Sequence, residues 1–391
     1  MNNKTKLLIR DAFFSSILSG VLILILALLF FNIRFFNPFH KAFADFSFLD
    51  VFYAERFYDE SKVNADIVLI NVPSERDEIA RLLDRILGED PKVVGVDVIF
   101  KDKRIGVIDS MLGSVLSNKK VVTALDIQED GVIKNHEVFG THDNSGYVNF
   151  NFDEKTSVLR EFEGKTTFDD KTYLSFASQV AKVYLGDKWN QYDYDQKLLM
   201  SHTIKYQGYY DHFQYLDPED FEDYQKKEVL KDKIVLLGYL GTHPDCEGDF
   251  EDKHFTPLNS IYTGKSIPDM HGVTVHANIL AMLINNDFKT TISNTWLLII
   301  TFLCMFFSTM FYMKINKKYK ISFRTRKRIF QFVVSIVILA LTFWLFKKDV
   351  VIKPTLIIVG IILAGSYFKY YKHLTRYLKS KTQKKWKTYL K

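Results

Sequence analysis

Two stretches of this chain stay uncharged for longer than a bilayer requires. Ala12–Ile33 runs for 22 residues and Thr290–Met313 for 24 without Asp, Glu, Lys or Arg, and roughly 20 apolar residues in a helix cross the hydrocarbon core. Ile329–Phe346 is uncharged for 18 residues. Pro354–Phe368 is uncharged for only 15, although Val350–Ile352 lengthens it if Lys353 snorkels to the interface. The other reading of this last segment is a re-entrant or interfacial helix. The expectation is four membrane helices, one before and three after a long intervening stretch.

The formal charge of +6 hides a division along the chain. Residues 34–289 hold 29 Lys/Arg against 44 Asp/Glu, whereas everything else holds 23 basic residues and two acids, Asp11 and Asp349. Such asymmetry points to a membrane. It speaks against nucleic acid, which the acidic stretch would repel. Lys4, Lys6 and Arg10 precede the first run, eight Lys/Arg lie in 314–328, and nine follow Phe368. Between the third and fourth runs there are only Lys347, Lys348 and Lys353. The positive-inside rule then places both termini in the cytoplasm and the acidic stretch outside.

The expected organisation is a cytoplasmic N-terminus (1–11), helix 12–33, an extracytoplasmic domain (34–289) and helix 290–313. A basic cytoplasmic loop (314–328), helix 329–346, an outer loop (347–353), helix 354–368 and a basic cytoplasmic tail (369–391) follow. This describes a multi-pass protein of the cytoplasmic (inner) membrane. Ala42-Phe43-Ala44 has the form of a signal-peptidase site, but it lies well past the apolar run, beyond Arg34 and His40. A retained signal anchor fits better.

Within 34–289 the pattern alternates. Asp66–Val72 is a β-branched strand. Ile79, Leu82, Leu83, Ile86 and Leu87 then form the i, i+3, i+4, i+7, i+8 stripe of a helix packed on a sheet. Ser74 is placed to cap its start, with Asp77 three residues on, and Gly88 to end it in a left-handed conformation. Lys92–Phe100 is a second, buried strand, so the unit is βαβ with parallel strands and a right-handed crossover. Lys120–Leu125, Tyr147–Phe150 and Lys233–Leu237 are further strands, and Tyr173–Tyr184 is a helix. His271–Asn285 is a helix apolar on most sides, hence buried, which runs almost directly into Thr290. Residues 185–232 have weak periodicity and read as an elaborated loop with one short helix. The fold class is α/β: an outer α/β sandwich with a largely parallel sheet, plus the four transmembrane helices. Cys246 and Cys304 are the only cysteines, so the domain has no internal disulfide and depends on its apolar core.

Open parallel sheets bind ligands at the carboxyl ends of their strands. Asp97 lies toward that end of the second strand, and Gly238–Asp249 follows the Lys233–Leu237 strand. Thr242, His243, Asp245 and Asp249 are therefore candidates to meet Asp97 around one ligand-binding crevice. The competing reading is that loop N–H groups hydrogen-bond the Asp97 carboxylate. His243, Asp245, Cys246, Glu247, Asp249 and His254 have metal-compatible chemistry but no recognised metal spacing, and a solvated acidic loop accounts for them. No catalytic residue, metal site or cofactor is assigned: there is no GxSxG elbow, and Gly238-x-x-Gly241 is no phosphate loop.

Taken in order, several of these segments resemble the CHASE type-two family of sensory extracellular domains. They are Asp50-Val51-Phe52 after the first span, the strand VVGVDVIF, Lys-Ile-Val-Leu-Leu-Gly with a Thr256-Pro257-Leu258 step, and the closing helix MHGVTVHANILAMLI. One span before and three after the domain also match that family's layout. Departures are Ile70-Asn71-Val72 in place of Ile-Asp-Glu, Met270-His271 in place of Pro, and a missing Trp/Pro-rich stretch. The resemblance implies structural roles for Asp50, His276 and Asn278. It also implies a membrane sensor that binds a small molecule or envelope component. Family members commonly carry a cytoplasmic kinase, cyclase or phosphodiesterase; here no such segment precedes Lys391, which implies signalling through a protein partner in trans. The alternative is a structural or assembly subunit whose outer domain docks another protein, which exposed aromatics together in 189–224 would favour. A homo-oligomer fits either reading.

Overall fold

The structure, a computed structural model, describes residues 2–32, 46–58, 63–104, 106–140, 144–150, 157–218, 229–241, 250–261, 267–318, 322–382 and 387–390. Two compact units result, one made of Tyr53–Lys289 and one of Met1–Phe52 with Thr290–Lys391. The chain opens in the second unit with α1 (Asn3–Asn32), the first of four helices long and apolar enough to cross a membrane.

The Tyr53–Lys289 unit is built on a mostly parallel sheet. β1 (Asn64–Asn71) buries Ile67, Val68, Leu69 and Ile70 in succession, as a strand covered on both faces must. α2 (Arg76–Gly88) buries Ile79, Ala80, Leu82, Leu83 and Ile86. Its ends depart from expectation. Glu75 stands at the N-cap without a side-chain cap bond, and the left-handed residue is Asp90, not Gly88. Helix geometry continues through Gly88, and Asp tolerates the left-handed conformation just before Pro91.

β2 (Val93–Val96) is shorter than Lys92–Phe100. Beyond Val96 the chain leaves the sheet, and the Phe100 N–H donates to Asn135 Oδ1 at 2.8 Å. α3 (Gly106–Leu116) returns to β3 (Val121–Gln128), which forms a hairpin with β4 (Gly131–Ile133). β5 (Ser145–Tyr147) lies parallel to β3 on the same flank. α4 (Phe176–Leu185) starts at Ser175, whose Oγ accepts the Ser178 N–H at 3.2 Å.

Residues 185–232 contain more structure than a loop. Short helices span Lys188–Gln191 and Tyr194–Lys197, and β6 (Phe213–Leu216) pairs in parallel with β1. Only Phe213 and Leu216 of β6 are buried, the weak alternation of an edge strand. Among the described residues of 189–224, Trp189, Tyr194, Tyr206 and Phe213 are buried and no tyrosine is exposed. Among the described residues no fully exposed tyrosine stands there to form a shared aromatic face. β7 (Ile234–Gly238) inserts between β1 and β2. The strand order is β6-β1-β7-β2-β3, all parallel, with β4 antiparallel and β5 parallel on β3.

Three layers follow. α2 and α3 pack with Val68, Ile70, Val94, Val96, Val235 and Leu237 on one face. On the other, α4 and α5 (Gly272–Ile284) pack on each other and on the central strands. A short ribbon, β8 (Lys253–His254) antiparallel to β9 (Met270–His271), leads into α5.

α5 stops at Ile284, and the next helix, α6 (Asn294–Lys318), starts only after residues 285–293. Within them Thr290–Thr291 pairs in parallel with Val350–Val351. A two-strand tie thus stands where a near-continuous helix was expected.

In the second unit α6 is followed by α7 (Phe323–Lys347) and α8 (Pro354–Lys381). α8 is far longer than its uncharged run, because the Tyr- and Lys-bearing segment after Phe368 stays helical, and Pro354 suits its first turn. α8 packs on α1, α6 and α7. At Gly365 a Cβ would lie 2.8 Å from Gln331 Nε2 and 3.0 Å from the Tyr312 ring. That closeness lets Tyr312 Oη donate to Ile361 O at 3.1 Å and Gln331 Nε2 to Ile362 O at 3.0 Å. Small residues and side-chain donors of this kind hold helices together where water is absent. Asp50 is buried in a short helix, Phe48–Ala54, and its Oδ2 accepts the Ser47 N–H at 3.1 Å.

Asp11 is fully buried at the start of the apolar part of α1. Its carboxylate receives Arg10 at 2.7 Å, Tyr371 Oη at 3.3 Å, Thr388 Oγ1 at 2.6 Å and the Tyr389 N–H at 2.7 Å. Leu390 is buried against Leu8, Ala12, Met313, Phe368 and Tyr371. Residues 387–390 of the basic tail are therefore bound to the chain's own first helix. Asp11→Ala leaves those donors unpaired, at about 1–3 kcal/mol for a buried polar group. The expected outcome is faster tryptic cleavage at Lys387 and a lower melting temperature in detergent; an unchanged cleavage rate would show that the tail is held otherwise.

Candidate functional site

The carboxyl ends of β1, β2 and β7 converge near the first turn of α5. Asn71 closes β1 and organises the chain after β7: its Nδ2 donates to Gly241 O at 2.8 Å, and its Oδ1 accepts the Leu240 N–H at 2.9 Å. Gly238 ends β7. A Cβ there would lie 2.8 Å from Val273 Cβ and 3.2 Å from Asp97 Cβ, so the missing side chain lets α5 and Asp97 close up. Gly272 opens α5 under the Asp252 carboxylate, where a Cβ would lie 3.0 Å from Asp252 Oδ2. Asp97 and Asp252 thus flank the amino end of a buried helix, where the backbone dipole favours negative charge.

Asp97 is partly buried. Its N–H donates to Leu237 O, and among the described residues nothing donates to its carboxyl; residues 242–249 of the loop expected to do so lie outside the described residues. Burial, and then the neighbouring Asp252, push the Asp97 carboxyl up to about 8. Asp252 is raised to about 6 by burial and by Glu251, against the Gly272 N–H. His254 Nε2 lies 3.8 Å from Asp252 Oδ1, and burial holds His254 below its usual value.

One turn along α5 from Gly272, His276 is buried with its ring stacked on Phe150, centroids 4.6 Å apart, and 5.1 Å from Phe176. Burial and His254 press it down to about 3, so it is neutral, and among the described residues its Nδ1 has no hydrogen-bond partner. Asn278 holds the opposite wall: Oδ1 accepts the Gln207 N–H at 2.7 Å, and Nδ2 donates to Gly208 O at 3.0 Å and Thr274 O at 2.9 Å.

Of the residues expected around the crevice, Asp97 stands at the sheet edge. Thr242, His243, Asp245 and Asp249 lie outside the described residues. The partner that Asp97 does meet, Asp252, had no signal in the sequence. Twenty residues separate it from Gly272, and only the β8–β9 ribbon, pairing Lys253 with His271 and His254 with Met270, brings it to α5. Beside that ribbon is an open pocket of about 520 Å³, lined in part by Tyr209, Asp211, Lys253, Asp269, His271 and Thr274. Asp269 is occupied structurally, accepting from Thr256 N–H and Oγ1 at 2.8 and 2.6 Å and from Asn259 Nδ2 at 3.2 Å. Among the described residues no group of three His, Cys, Asp or Glu side chains could hold a metal ion.

These environments set a pH dependence. From 3.8 to about 8 the native Asp97 holds a proton that the unfolded chain has released, so its contribution to stability falls as pH rises and is fully lost above that range. Asp252 and Asp269 act in the same direction only up to about 6. His254 and His276 act oppositely, but only below the ordinary histidine value of 6.5. Asp97 is therefore the main contributor between roughly pH 6.5 and 8. Asp97→Asn in the full chain should flatten the decline of melting temperature across that interval and raise the value at pH 8. A steeper decline in the variant would contradict the placement of the carboxyl.

The family model of the CHASE2 domain matches residues 23–311, which take in the entire Tyr53–Lys289 unit and reach into α1 and α6. No curated protein and no solved structure matches the chain. CHASE2 is a family of sensory extracellular domains rather than catalytic ones. The α/β sheet, the buried helix Gly272–Ile284 with His276 and Asn278, and the four apolar helices all accord with that match. This chain belongs to the CHASE2 family, as a multi-pass membrane protein that carries the sensory domain between its first and second apolar helices.

Proposed function

We propose that the chain is a membrane-anchored sensor that binds a small molecule at the Asp97–Asp252 edge of the sheet and signals through a protein partner in trans. The observation that carries this reading is the Asp97 carboxylate, partly buried and without a donor among the described residues. A partly buried carboxyl without a hydrogen-bond partner is costly to the fold in either protonation state, and a ligand that hydrogen-bonds it removes the cost. The site lies where ligands enter open parallel sheets. It also adjoins the first turn of α5, the last helix before the chain passes to α6. The distribution of Lys and Arg supports cytoplasmic termini and an external sensory domain.

For the partner, the segment after Phe368 offers a face of its own. Tyr370, Leu374 and Tyr377 are exposed on α8 at helical spacing, while the end of the tail is tied to Asp11. The same face supports the second reading, a subunit that assembles with another protein without binding a ligand.

Small molecules extracted from the full chain purified in mild detergent, analysed by mass spectrometry, separate the two. A species carried by the wild type should be absent from Asp97→Asn and Asp252→Asn. If all three preparations give the same spectrum while Tyr370→Ser with Tyr377→Ser loses a co-purifying protein, the docking reading replaces the sensor.

A further inference from the structure

Arg324, Lys327 and Arg328 occupy i, i+3 and i+4 on α7, one face of its first turns. Lys327 is half-buried, and its Nζ donates to Gly365 O of α8 at 3.2 Å. One turn further along α8 from Gly365 stands Lys369, exposed, its Nζ 4.9 Å from the centroid of the Tyr370 ring. Arg324 and Arg328 share the α7 face of Lys327, and Lys369 stands one turn along α8 from the Gly365 carbonyl that receives its ammonium. No carboxylate among the described residues pairs with any of the four. Asp11, the acid of α1, is taken up by Arg10, Tyr371, Thr388 and Tyr389.

Basic residues at helix ends ordinarily fix topology while staying extended in water. That accounts for Lys379 and Lys381, which are exposed. It does not account for a half-buried ammonium on α7 that is fixed to a backbone carbonyl of α8, with two cations on its own helix face and a third one turn along α8. Such an arrangement is repulsive until an anion joins it.

We propose that this basic face shared by α7 and α8 binds the phosphate headgroup of an anionic phospholipid, held by Arg324, Lys327, Arg328 and Lys369. The chemistry is phosphate recognition by converging guanidinium and ammonium groups. The source is a lipid because the α7 cations stand in the first turns of one apolar helix and Lys369 directly follows the uncharged run of another, both apolar enough to span a membrane. Exposed Ile329, Phe332 and Val333 continue from them along α7 to receive an acyl chain, and basic pockets between membrane helices are places where anionic headgroups lodge.

The test uses the full chain in detergent, with native mass spectrometry of complexes formed with short-chain phosphatidylglycerol, with phosphatidylcholine, or with phosphatidylglycerol plus millimolar inorganic phosphate. Phosphatidylglycerol should bind the wild type, phosphatidylcholine should not, and phosphate should not compete. Lys327→Gln with Lys369→Gln should weaken binding roughly thirtyfold, a factor of about five for each charge. Lys379→Gln with Lys381→Gln, the same loss of charge further along α8, should leave it within a factor of about two. Lys369→Gln alone, at an exposed position, keeps the test valid if the double variant misfolds, and should cost about fivefold. Equal losses for both double variants would reduce the site to general surface charge and overturn the proposal. Displacement by inorganic phosphate would overturn its lipid occupant.

Discussion

α5 has no exposed side from Gly272 to Leu283, and much of the α/β unit is arranged around that fact. A helix covered all round must find partners inside the protein for every polar group it carries. Asn278 does so by binding the backbone of Gln207 and Gly208, which fixes the chain just before β6 reaches the sheet edge. At the far end Tyr194 donates its hydroxyl to Leu283 O, which explains why an irregular, tyrosine-rich stretch is nevertheless ordered there. At the near end the approach of Val273 to the sheet is possible only because residue 238 lacks a side chain.

The same burial creates the electrostatic tension at the candidate site. Seating the first turn of α5 against β7 leaves Asp97 partly buried beside the exposed Asp252, and the helix dipole offsets only part of their repulsion. His276 adds no positive charge, because its aromatic enclosure keeps it neutral. What results is a pair of carboxyls whose protonation, and whose affinity for a donor, depend on how closely α5 is packed. Under the proposed function, binding at this edge is linked to the packing of the helix, and a ligand that distinguishes two packings shifts their populations by its difference in affinity.

How far the sequence disclosed this differs from element to element. β1, α2 and β7 were legible because strands buried on both faces are continuous β-branched runs, and α2 carries a clean apolar stripe. β6 was not, since an edge strand that buries two of four residues has little pattern to show. The left-handed residue that ends α2 was misplaced by two positions, because Asp90 takes the conformation that glycine usually takes. Asp97 could be placed at the sheet edge from strand order alone. Its companion Asp252 could not, since a two-residue ribbon is too short to have a period. The Gly-Val-x-x-His-Ala-Asn pattern was readable as a family mark, yet its reasons are steric. Gly272 lies under a carboxylate, Val273 meets Gly238, and His276 fills an aromatic slot.

The helical unit illustrates why hydropathy alone under-describes a membrane segment. An uncharged count gave α8 fifteen residues, although the helix runs for 28. Helix length is set by continuous backbone hydrogen bonding, and the Tyr- and Lys-rich turns after Phe368 satisfy it as well as leucine does. Hydropathy also ranks Gly360 and Gly365 as weak contributors, whereas packing makes them contact points: a Cβ at either would lie within 3.0 Å of α6 or α7 side chains. Where α8 presents glycine, neighbouring side chains reach its carbonyls, and Tyr312, Gln331 and Lys327 each take one. Bonds of this kind do not depend on the hydrophobic effect, which gives lipid-immersed helices no reason to associate. They fix the rotation of α8 about its axis. With that rotation set, Tyr371 faces Asp11 and Lys369 faces the α7 cations, so the polar ends of the bundle follow from contacts made in its apolar middle.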